Sequence, residues 1–207
     1  MRFATFASGG GSNFGALLAA VADGSLDAVP CLLVADRVGT GAADRARSAG
    51  VSVVVLPPSD FADEAAYADA LIAALRQADT DLVVLAGFLK KIPSGVVRAY
   101  PNSILNIHPS LLPAHGGKGL YGRRVHQSVL DSGDAESGAT VHLVDADYDT
   151  GPIVVQRSVP VLPDDTPGSL AERVLTIEHQ LLPHAVRLFA QGKVHVNGRT
   201  VTVDEEE

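Results

Sequence analysis

The stretch "LNIHPSLLPAHGGKG", residues 105–119, sets an asparagine and a histidine two residues apart where an apolar run gives way to a proline-stiffened loop. If the strand of residues 103–106 continues, alternation puts Asn106 and His108 on the same side of the chain. An amide donor beside an imidazole can polarise a carbonyl and hold the oxyanion formed when it is attacked. The same two side chains can also simply cap a strand end. Chemistry would need a third group to orient or tune the imidazole. "DADYDTGP", 145–152, offers Asp145, Asp147 and Asp149 in one turn.

A second candidate is "ASGGGSNFGAL", 7–17, a glycine loop between a strand and a helix. Glycines let the backbone approach a ligand, and free amides at a helix start favour an anion. A phosphate at Gly11, Ser12 and Asn13 fits; a bare triglycine turn is the alternative. The dinucleotide fingerprint fails, because Phe14 occupies the third glycine position, and no Gly-Lys-Ser/Thr follows for a P-loop. Asp36, closing the second strand, is the one feature that suits a nicotinamide ribose. The other histidines are weaker candidates. His142 reads as a buried mid-strand residue, His115 lies on a loop, His126 on a helix, His179 and His184 on the long helix and His195 in the terminal hairpin. None pairs at zinc spacing, so no metal is expected.

The elements that must hold these residues alternate. Strands read at 2–7, 29–36, 51–56, 81–87 and 103–106, and helices at 13–24, 41–50 and 63–78. Continuous Val/Leu strands separated by helices predict a parallel sheet buried on both faces, in an open, doubly wound α/β fold. Strands at 137–147 and 151–161 are joined too closely for a helical crossover, so they predict an antiparallel edge. A helix over 166–191 follows, and Asn197-Gly198 marks a terminal hairpin. With no repeat or linker, residues 1–207 read as one domain, with 204–207 an unstructured acidic tail.

Composition narrows the function. Sixteen basic against 24 acidic residues give a net charge of −8 with no basic block, which argues against nucleic acid. The apolar runs are too short to span a bilayer, no secretory signal is visible, and the single cysteine, Cys31, permits no internal disulfide. A cytoplasmic protein is expected. Three of the four lysines (Lys90, Lys91 and Lys118) flank the Asn106–His108 segment, which suits a small anionic ligand or scattered solvating charge.

Taken in order, "SGGGSN", "VVLAGFLKKI", "NIHPSLLP", "GATVHLVDADYDTGPIV" and "RVLTIEH" resemble the phosphoribosylglycinamide formyltransferase family from Met1 to about Gly192. The resemblance implies a Rossmann-like formyltransferase fold. It implies transfer of the formyl group of 10-formyltetrahydrofolate, a co-substrate, to the amine of 5'-phosphoribosylglycinamide in the IMP pathway of purine synthesis. It gives Asn106, His108 and Asp149 catalytic roles, with Asp149 favouring a charged imidazolium. Gly11, Ser12 and Asn13 would hold the substrate phosphate, and Glu178 would contact that substrate near its ribose. Leu89, Lys90, Ile92, Asn106 and the turn from Asp145 to Asp149 would line the folate pocket. Only small-molecule partners are implied, for a monomer or homodimer without metal. One departure is Glu64, which stands near where many relatives carry a base; Lys118, in "GGKG", is the candidate replacement.

Other readings remain open on sequence. Methionyl-tRNA formyltransferase shares the Asn-x-His and Asp pattern, but it needs a C-terminal tRNA domain that a 207-residue acidic chain is not expected to hold. Formyltetrahydrofolate hydrolase needs an N-terminal regulatory domain, whereas the first strand here begins at residue 2. A nicotinamide reductase would use the glycine loop and Asp36. A nucleotide-sensing module would keep the sheet and lack turnover.

Overall fold

The computed structural model describes residues 1–204. Seven strands form one sheet in the order β3-β2-β1-β4-β5-β6-β7. These are β1 (Arg2–Ala7), β2 (Val29–Ala35), β3 (Ser52–Val55), β4 (Leu82–Leu85), β5 (Ile104–His108), β6 (Glu136–Leu143) and β7 (Ile153–Pro160). The chain divides into two compact units, Met1–Leu105 and the part from Asn106 onward.

In the first unit β1 pairs in parallel with both β2 and β4, and β2 with β3. Parallel pairing requires crossovers, supplied by α1 (Ser12–Ala22), α2 (Gly41–Ser48) and α3 (Glu64–Gln77). Phe3, Phe6, Leu33 and Val83 are wholly buried, as a sheet covered on both faces demands. Phe14 of α1 and Ala42, Ala43 and Ala46 of α2 pack on Ala7 and Leu33. The small alanines of α2 let that helix lie close to the turn after β1. A short α4 (Ser94–Ala99) was not foreseen, since six residues carry too little periodicity to register. The Glu64 carboxylate accepts from the Ser94 N–H at its start (3.2 Å), so an acid at that position has a structural use.

In the second unit β6 and β7 are antiparallel, as the short connection requires. Their register slips between Val141 and His142, where Val141 pairs with Val155 and His142 with Ile153, so the extra residue of this bulge is Val154 on β7. Gly151 makes the connection feasible, because a Cβ there would lie 1.7 Å from the Leu143 carbonyl oxygen. α5 (Arg123–Ser132) and α6 (Pro167–Ala190) pack on one another, burying Val125, Val129, Leu170, Val174 and Leu182. Thr166 and Ser169 form a reciprocal capping box at the start of α6. A separate hairpin, β8 (Val194–Asn197) and β9 (Thr200–Val203), closes the described chain. Asp204, expected in an unstructured tail, belongs to this hairpin. Its N–H donates to the Lys193 carbonyl and its carboxylate meets His195, both at 3.0 Å. Residues 205–207 of that expected tail lie outside the described residues.

Candidate active site

β5 runs through His108 and so carries Asn106 and His108 on one side of the strand. His108 is 4% exposed, and its Nε2 donates to the carbonyl oxygen of His115 (2.9 Å). Its Nδ1 faces Asp149 Oδ2 at 3.6 Å. Asn106 Nδ2 lies 3.1 Å from His142 Nε2 and 3.4 Å from Asp149 Oδ1. The turn after β6 thus brings Asp149 against both residues of the strand end.

His142, read from sequence as structural, belongs to this constellation. Its Nδ1 lies 2.8 Å from the Leu143 carbonyl oxygen, which can only accept. Nδ1 therefore carries a proton and donates to it, while Nε2 meets the Asn106 amide and lies 3.6 Å from Asp149 Oδ1. Alternation of apolar residues could not reveal this role, because a buried mid-strand histidine carries the same pattern whether its ring meets core or a partner 36 positions away.

Asp149 sits at φ 55°, in the left-handed region that non-glycine residues seldom adopt. Its Oδ2 accepts from the Gly117 N–H (2.9 Å), which ties the "GGKG" loop to the carboxylate. Burial alone would raise its pKa. The His142 and His108 rings and the Gly117 amide outweigh burial, and the carboxyl is held below its ordinary value. For His108 the balance falls the other way. Burial is the largest influence and lowers its pKa; the Asp149 charge and the His115 carbonyl oppose this without reversing it. Asp149 does favour the imidazolium, as the sequence led one to expect, but desolvation is the larger influence and sets the direction of the shift.

Asp145 accepts from Thr150 Oγ1 (2.6 Å), from the Asp147 N–H (3.2 Å) and from Arg199 of the terminal hairpin (3.1 Å), which braces the turn carrying Asp149. Lys118 is exposed beside Gly117, and Glu178 is buried within α6.

In the first unit, Gly11 takes φ 70° as the N-cap of α1 and provides no side-chain cap, so the first-turn amides of that helix are left to other partners. A Cβ at Gly11 would lie 2.7 Å from Ala42 Cα. The loop's carbonyls turn the other way. Ser8 O accepts from Arg37 Nε (3.0 Å), Gly9 O from the Ala42 N–H (3.1 Å) and Gly10 O from Arg45 Nε (3.0 Å). Two guanidiniums therefore flank the glycine loop, Arg37 and Arg45, neither of which lies near Glu64 in the chain. Asn13 is buried at the start of α1. Ser8 Oγ accepts from the Leu89 N–H (2.9 Å), fixing the segment in which Leu89 and Lys90 are exposed and Ile92 is buried. Asp36 cannot serve a ribose, since its side chain is 2% exposed with Arg37 lying over it.

Among the described residues no helix is long and apolar enough to cross a membrane. A sequence profile of the formyl transferase family matches residues 1–186. The chloroplastic phosphoribosylglycinamide formyltransferase of Arabidopsis thaliana is 46% identical over 93% of this chain, which spans 66% of that relative's length. The phosphoribosylglycinamide formyltransferase of Bacillus subtilis is 34% identical over 90% of this chain and 93% of its own. Among solved structures, glycinamide ribonucleotide transformylase 1 from Symbiobacterium toebii superposes with a TM-score of 0.93 at 37% identity, covering 99% of this chain and 94% of that one. Sequence profile, relatives and superposed backbone agree: the chain belongs to the formyl transferase family.

Proposed function

We propose that the protein transfers the formyl group of 10-formyltetrahydrofolate to the amine of 5'-phosphoribosylglycinamide, within the IMP pathway of purine synthesis. The observation that carries this reading is the junction of Asn106, His108 and Asp149, an amide and a buried imidazole against one carboxylate. In the reaction the amine nitrogen bonds to the formyl carbon, and the bond from that carbon to N10 of the folate breaks. The amine loses a proton and N10 gains one. His108, neutral at the start, takes the proton that the amine sheds. The imidazolium so formed stands beside the Asp149 carboxylate, and with Asn106 it holds the oxyanion of the tetrahedral intermediate. This chemistry calls on no metal.

Gly11, Ser12 and Asn13 hold the substrate phosphate on the α1 amides, with Arg37 and Arg45 supplying positive background. Glu178 contacts the same substrate and Lys118 assists its charge. Leu89, Lys90, Ile92 and the turn from Asp145 to Asp149 serve the folate. Residues 1–207 act as one formyltransferase domain, a cytoplasmic monomer or homodimer that handles small molecules and no nucleic acid. The test is to follow loss of the folate formyl group with and without glycinamide ribonucleotide. Loss that requires the acceptor is the expected result. Equal loss without it would mean hydrolysis to water and would overturn the proposal.

A further inference from the structure

His115 is the unusual residue around His108. It adopts φ 55°, a left-handed conformation that its Cβ disfavours, and its carbonyl oxygen receives the His108 Nε2–H. Its ring is gripped at both nitrogens. Nε2 donates to Asp134 Oδ2 at 2.7 Å, and Nδ1 lies 2.8 Å from Ser128 Oγ on α5. The Asp134 carboxyl is held below its ordinary value chiefly by this bond from His115. The ring is 12% exposed and lines a cavity of about 350 Å³ with Leu111, Ala114, Val129 and Ser137. A serine, a histidine and an aspartate in line resemble a nucleophile relay. Here Ser128 lies inside a helix, without the sharp strand-to-helix turn that would present its hydroxyl to a substrate. The cluster is better suited to holding a backbone than to attacking a carbonyl.

We infer that His115 is a positioning residue: Ser128 and Asp134 lock its ring, and the locked residue presents the carbonyl that fixes the orientation and tautomer of His108. A carbonyl can only accept, so it keeps the proton on His108 Nε2 and leaves Nδ1, the atom facing Asp149, open to gain one. This is the protonation pattern that the proposed reaction begins from, and the inference rests on that reading for its effect on turnover. Without the clamp a loop residue at positive φ has little reason to stay there, and the His108 ring loses the partner that orients it.

The experiment compares the wild type with two variants, His115→Asn and the double variant Ser128→Ala/Asp134→Ala. Asparagine tolerates the left-handed backbone but is too short to span the clamp. The double variant leaves His115 in place and removes both its ring partners. Folding is checked by circular dichroism, and the second variant serves if the first does not fold. Imidazole 15N resonances near neutral pH, assigned with His108→Gln, report the His108 tautomer without any substrate. The wild type should show a protonated Nε2 and an unprotonated Nδ1, and both variants should lose that preference. Turnover should fall on the order of ten- to a hundredfold with Michaelis constants within about twofold. An unchanged His108 signature in folded variants overturns the inference. A changed signature in the variants of a wild type that itself transfers no formyl group upholds the clamp and refutes the proposed reaction instead.

Discussion

At the scale of single residues, two opposed influences decide how His108 behaves. Burial disfavours its charged form, and Asp149 at 3.6 Å favours it. Because burial wins, His108 should titrate below about 6.5 in the folded protein. Removing the opposing charge in Asp149→Asn should lower the value further. An NMR titration checks this; a value that rises in the variant would contradict the assignment. The effect on stability has a definite sign. A depressed histidine pKa makes the unfolded chain bind its proton first, so stability falls as pH drops from about 6.5 towards the folded value. The depressed carboxyl of Asp149 adds stability that is present above about 3.9 and lost as pH falls through its own folded value. The residue types and spacing were legible from sequence: Asn106 and His108 share a strand face, and Asp149 lies in an acid-rich turn. The protonation of His108 was not, because desolvation depends on how completely the surrounding elements cover it. Nor was the part of His142, whose partner Asn106 lies 36 positions away along the chain.

At the scale of elements, the turn between β6 and β7 is the most demanding piece of backbone near the site. Gly151→Ala would drive a Cβ into the Leu143 carbonyl, so the connection must open or Asp149 must move. The expected cost is roughly 3 kcal/mol or more. Gly168→Ala is the control: its Cβ would meet nothing closer than Thr166 Oγ1 at 3.6 Å, and its effect should stay within about 1 kcal/mol. Urea unfolding of both variants measures the difference, and equal midpoints would show that the turn is less constrained than its geometry implies. Alternating buried strands and helices were readable along most of the chain because each carries a clear period. The antiparallel β6–β7 pair followed from the short link between its strands. α4 is not legible in the sequence, because six residues hold fewer than two turns of pattern. The end of β5 was placed short because His108 breaks the apolar run while the backbone pairing continues through it.

At the scale of the whole molecule, a chain of net charge −8 is a poor background for an anionic substrate. Local cations offset this. Arg37 and Arg45 bond the Ser8 and Gly10 carbonyls at the glycine loop. The chain order points to Glu64 and Lys118 as the places for a compensating base, whereas a packed helix brings Arg45 in from 35 positions away. In the proposed reaction Asp149, joined to Asn106 and His108, acts on the transition state of formyl transfer. The most direct measurement is the single-turnover rate of N-formyl product formation from 10-formyltetrahydrofolate and glycinamide ribonucleotide, for wild type and Asp149→Asn at saturating ligands. The expected result is rapid product formation by the wild type and a rate at least about a hundredfold lower in a folded variant that still binds both ligands. A variant rate within a few-fold of wild type would contradict the account.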